Sequence, residues 1–110
     1  MRKTDKKIDN QLRDTLTDIC EGTLKGYEGF LWVTHLANFS NFPQSLKIVC
    51  VFETNQQRDE FSQHQQQVNN VIKNALSQVG ITLKNIEKHV KYDTQENCDR
   101  ENRGKWDLRL

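Results

Sequence analysis

The segment Asp93-Thr94-Gln95-Glu96-Asn97-Cys98-Asp99-Arg100-Glu101-Asn102 gathers four carboxylates, a density that would suit a calcium loop. The spacing excludes one. Counted from Asp93, the sixth position of an EF-hand requires glycine and holds Cys98, and the twelfth requires a bidentate glutamate and holds Gly104. The segment is expected to be a solvated loop between two strands, and no metal ligand is assigned. His35, His64 and His89 stand apart from one another, none at helical i, i+4 spacing and none beside a cysteine pair, so surface positions are expected for them. Cys98 and His89, nine residues apart, offer a nucleophile and a base, but neither an oxyanion donor nor an orienting third group accompanies them. No catalytic residue is assigned, no cofactor is implied, and a non-enzymatic protein is expected.

The remaining chemistry is that of basic side chains. Lys84, Lys88 and Lys91 lie along one candidate strand and its approach, and Arg100, Arg103, Lys105 and Arg109 follow. Arg2, Lys3, Lys6, Lys7 and Arg13 crowd the start of the first helix, where the macrodipole disfavours cations, so helix stability does not explain them. Nucleic acid is held by cations that track phosphates and by flat groups that stack on bases, for which Trp32, Tyr92 and Trp106 are candidates. Glu87, Asp93, Glu96, Asp99, Glu101 and Asp107 interleave with the cations and weaken their field, and both tryptophans fall in apolar alternation that suits a core. The candidate nucleic-acid-binding residues are Lys3, Lys6, Lys7, Lys84, Lys88 and Lys91, with RNA or DNA as partner. Another protein, bound by an adaptor surface, is the alternative.

These residues must be positioned by the surrounding elements. Ile8, Leu12, Leu16, Ile19 and Cys20 trace one stripe of a helix over Thr4 to Cys20, with Gly22 suited to follow its end. Gly29–Leu36 and Ser45–Phe52 are apolar runs separated by eight residues that include the only proline, and they read as adjacent strands. In the second run Leu46, Ile48, Cys50 and Phe52 share one face, while Lys47, Val49, Val51 and Glu53 share the other. Asn55 is placed to cap a long helix whose apolar face, Phe61, Val68, Val71, Ile72, Ala75, Leu76 and Val79, ends at Gly80. A break is expected near Ser62 to Gln66, where nothing apolar anchors the helix. Ile86–Asp93 reads as a half-exposed strand and Trp106–Leu110 as a terminal edge strand, with Trp106, Leu108 and Leu110 facing the core and Asp107 and Arg109 facing water. The expected fold is a single α+β domain over residues 1–110, helix-strand-strand-helix-strand-strand, with the helices on one face of a largely antiparallel sheet.

Composition agrees with one modest core. The chain has 110 residues, 35% hydrophobic and 28% charged, with a formal net charge of +1. That balance does not mark a dedicated nucleic-acid domain, so any such role must rest on local clustering. No apolar run approaches the roughly 20 residues of a membrane-spanning helix, and the charged N-terminus is unlike a signal sequence, so a cytoplasmic protein without membrane contact is expected. Cys20, Cys50 and Cys98 are odd in number and widely spaced, as befits reduced structural thiols. The sequence leaves the oligomeric state open.

The order of a basic first helix, two strands, a long helix broken midway and a further strand is similar to ribosome-binding factor A. That resemblance implies a KH-like fold and a ribosomal RNA partner. The nearest counterpart to the Gly-x-x-Gly turn of a KH domain is Ala75-Leu76-Ser77-Gln78-Val79-Gly80. Separately, Met1–Asn10, Leu46–Phe52 and Tyr92–Cys98 resemble a family of small gammaproteobacterial proteins often labelled Fis-type transcriptional regulators. This second likeness implies DNA binding through a C-terminal helix-turn-helix.

Overall fold

A computed structural model describes residues 3–110; Arg2, counted above with the N-terminal cations, lies outside the described residues. Helix α1 (Lys3–Gly22) buries Leu12, Leu16 and Ile19, the middle of the apolar stripe. It runs on through Gly22, which is helical instead of following the helix end. Strands β1 (Phe30–Leu36) and β2 (Lys47–Phe52) form an antiparallel pair with a bulge between Phe30 and Trp32. Helix α2 (Asn55–Phe61), a single 3-10 turn at Ser62–His64 and helix α3 (Gln65–Gln78) make the broken helix, with the interruption where the apolar face lapses. Thr54, not Asn55, caps α2: its side chain accepts from the Gln57 amide, and the Gln57 side-chain oxygen accepts from the Thr54 amide.

Gly29 enters β1 with φ +84, and a Cβ there would lie 2.1 Å from the Gln57 side-chain oxygen. Glycine is therefore demanded twice, by the backbone and by the capping glutamine.

The α+β single-domain reading is what the structure shows, with a three-stranded sheet ordered β1-β2-β3. Three details differ from the sequence expectation. First, Ile86–Lys88 is a 3-10 turn, and β3 (Val90–Thr94) is shorter than anticipated. It pairs parallel to β2, because the chain returns through α2 and α3 to the end from which β2 began, so the sheet is mixed. Second, the carboxylate-rich segment is helix α4 (Gln95–Asn102) instead of a loop, capped by Thr94, whose side chain accepts from the Asn97 amide. Third, the expected fourth strand is helix α5 (Trp106–Arg109). Leu108 and Leu110 are exposed, and Arg109 turns inward.

These C-terminal helices also give the sheet a second covered face. Ile48, Cys50, Phe52, Val90 and Tyr92 join the main core with α1, α2 and α3. On the opposite face Trp32 meets Trp106 edge to face with centroids 4.8 Å apart, and Asp93 receives Arg109. Val49 and Val51 are consequently as fully buried as Ile48, which explains why both faces of β2 are apolar.

Candidate nucleic-acid interface

Strand direction sorts the charges. Leu36 pairs with Lys47 and Ile48 with Val90, so the end of β1 and the starts of β2 and β3 lie together. The start of α1 is tied to the same end, since Asp9 Oδ1 lies 2.7 Å from Nε2 of His35, the partner of Ile48. His89 ties the approach to β3 there as well: its Nδ1 sits 2.7 Å from the Leu46 carbonyl, and its own carbonyl accepts from the Ile48 amide. Lys3, Lys6, Lys7, Lys84 and Lys88 thus gather around one end of the sheet, all exposed, with no ion pair within 4 Å among the described residues. Lys47, which the sequence reading passed over, joins them because register places it opposite Leu36. Of the carboxylates in the same segments, Asp9 is engaged by His35, which leaves Asp5 and Glu87.

Carboxylates gather at the other end. Glu28 and Glu53 flank the paired residues Phe30 and Phe52, and the Glu53 amide donates to Gly29 O at 2.8 Å. The Glu96 amide donates to Glu53 O, and Glu60 lines a cleft with Tyr27 and Glu28. Lys25, Arg58 and Arg100 belong to the same segments, so this end is mixed in charge with carboxylates in excess.

Lys91 is set apart from the other five candidate cations. It lies in β3, 3.9 Å from Asp93, and lines a groove of about 390 Å³ between that strand and Arg58, Asp59, Ser62 and Gln65 of the helix break. Val90 and Tyr92 lie along the floor of this groove. Because the His89 carbonyl bonds to β2, the alternation of a parallel ladder turns the peptide groups of Val90 and Tyr92 outward.

The stacking candidates are otherwise engaged. Tyr92 is buried and its hydroxyl donates to Asn69 at 2.6 Å, while burial pushes its pKa far upward. Trp106 packs on Trp32 and donates its indole N–H to Gln95 at 2.9 Å. Tyr92 is thereby closed to bases, while Trp32 and Trp106 are half-buried against each other.

Neither catalytic alternative assembles. His89 precedes β3 and Cys98 lies a helical turn beyond its far end, so the two are not brought together. Burial also raises the pKa of the Cys98 and Cys20 thiols and pushes that of Cys50 up to about 12, which disfavours the thiolate in each case. All three cysteines are unpaired, and among the described residues no His, Cys, Asp and Glu group could hold a metal ion. His35 and His89 are also less exposed than expected, each held by a hydrogen bond.

Ala75–Gly80 proves to be the end of α3 and its exit, with Gly80 at φ +84, not a turn between helices. The turn that does separate two helices, Ser62-Gln63-His64, contains no glycine. The C-terminus is helix-turn-helix in outline, but α5 is only four residues long and its Trp106 and Arg109 face inward, so it presents no recognition helix. Among the described residues no helix is long and apolar enough to cross a membrane. No family model, curated protein or solved structure matches the chain.

Proposed function

We propose that this is a small cytoplasmic, non-enzymatic protein that binds nucleic acid, in a structural or regulatory role, through the basic end of its sheet. The observation that carries the reading is the convergence of Lys3, Lys6, Lys7, Lys84 and Lys88, drawn from two segments far apart in sequence, without ion-pair partners. Free lysines held on a rigid frame attract phosphates at little cost in ordering, and the opposed acidic end orients the approach. Because the aromatic rings are engaged internally, phosphate contacts dominate and sequence preference is weak. The order helix, two strands, broken helix, strand, on which the likeness to ribosome-binding factor A rests, supports RNA as the substrate class. The absence of a recognition helix weighs against a Fis-type mode.

One observation favours the protein adaptor as a second reading. Strand β1 is a sheet edge that carries no Lys, Arg, Asp or Glu, with Leu31 43% and Leu36 37% exposed, and such an edge is a template for strand addition.

Fluorescence anisotropy with labelled single-stranded RNA, single-stranded DNA and duplex DNA discriminates the two. Replacing Lys3, Lys6 and Lys7 with Gln is expected to weaken binding of every nucleic acid that binds. Replacing Glu28 and Glu60 with Gln at the far end is expected to leave binding unchanged or slightly stronger. Equal effects at both ends would remove the proposal.

A further inference from the structure

At the basic end, a cleft of about 220 Å³ is lined by Pro43, Gln44, Thr82, Leu83, Lys84 and His89. No carboxylate lines it. The side chains of Gln44, Thr82 and Lys84 donate no hydrogen bond to the described residues, so an amide, a hydroxyl and an ammonium remain available there. Deepening the nucleic-acid reading and resting on it, we propose that this cleft seats one phosphate group, with Lys84 as counter-charge, Thr82 and Gln44 as neutral donors, and His89 as a fixed wall.

The role of His89 follows from its hydrogen bond. A carbonyl oxygen only accepts, so the nitrogen 2.7 Å from Leu46 O must carry a hydrogen, which fixes the Nδ1–H tautomer. In the neutral ring Nε2 is then a bare acceptor, with nothing to offer a phosphate oxygen. His89 is thus a wall of the cleft anchored to β2, and Lys84, Thr82 and Gln44 supply the donors.

Two measurements test the proposal. Amide chemical shifts are followed as inorganic phosphate is added, and anisotropy is measured with a labelled mixed-sequence RNA dodecamer for wild type and variant. Phosphate is expected to shift the amides of Thr82–His89 and Gln44. The Thr82→Val/Lys84→Gln double variant, altered only at cleft-lining side chains that make no hydrogen bonds, is expected to lose those shifts and to bind RNA about tenfold more weakly. Shifts spread elsewhere, or a double variant that binds RNA like wild type, would overturn the cleft and leave the basic-end reading to rest on Lys3, Lys6, Lys7 and Lys88. Phosphate shifts in the cleft with no RNA binding at all would keep the seat, assign it to a free phosphorylated ligand and sink the nucleic-acid reading.

Discussion

Arg109 clasps Asp93 with two hydrogen bonds, Nε to Oδ2 at 2.6 Å and Nη2 to Oδ1 at 3.0 Å, fastening the last helix to the edge strand β3. The carboxylate is 2% exposed and also accepts from the Thr94 amide, while Arg109 reaches on to Glu101 and Asn102. Burial by itself would raise the Asp93 pKa, but the Arg109 and Thr94 hydrogen bonds and the charges of Arg109 and Lys91 together hold it below the usual carboxylate range.

Removing one partner of a buried pair costs more than the pair contributes, because the other charge is left without compensation. Arg109→Leu is therefore expected to destabilise the protein by about 3 kcal/mol, read as a lower urea midpoint with an unchanged slope. The pH dependence has a definite sign. A folded pKa below the unfolded one gives stability that is fully present above the unfolded value and is lost as pH falls through the folded value. In Arg109→Leu the Asp93 pKa rises, so acid unfolding should begin at higher pH than in wild type. Coincident acid transitions would show that the clasp does not hold the carboxylate ionised.

Deleting residues 105–110 tests the same helix from the side of packing. The deletion removes the Trp106 ring from Trp32 and uncovers the face that carries Val49, Val51 and Asp93. Lower melting temperature and greater association are expected. Amide exchange should quicken first in β3 and α4, while α1, on the other face, stays protected. Uniform quickening would mean that the two faces unfold as one unit.

Gly29→Ala places a methyl group against the Gln57 side chain at a backbone angle that L-residues rarely adopt. A loss of roughly 1–3 kcal/mol is expected from the strained φ alone. Pairing the change with Gln57→Ala should recover the steric part but not the backbone part. Full recovery in the double variant would assign the whole cost to the glutamine.

The elements legible in the sequence were those whose own pattern suffices. The α1 stripe, the two apolar strands and the gap in apolar residues at Ser62–Gln66 each declare themselves locally, and Ile48 is buried on the face assigned to it. The C-terminal third was misread because Trp106, Leu108 and Leu110 alternate as a strand would, whereas the indole bond to Gln95 and the Arg109 clasp, both tertiary, decide in favour of a helix. Asp93 looked solvent-facing for a related reason, since the helices that cover it were themselves unrecognised. For the interface, the six lysines were legible as a list but not as a place. Only the parallel pairing of β3 brings Lys84 and Lys88 to the end where α1 starts, and Lys91 differs from them in lying near Asp93. Nothing in residue type alone singled out Thr82 or Gln44, and His89 drew notice only as a base for Cys98; their significance lies in the cleft they share.

The most direct test of the account is the salt dependence of RNA binding by wild type and by Lys84→Gln/Lys88→Gln, titrated from low to moderate ionic strength. Each phosphate contact on a single strand contributes about 0.7 to the slope of log affinity against log salt. The account predicts a negative wild-type slope that becomes shallower by about 1.4 in the double variant, with the melting temperature unchanged. Absence of binding at about 100 µM protein in low salt, at the weak end of ordinary non-specific affinity, would contradict it, as would a slope that the two substitutions leave untouched.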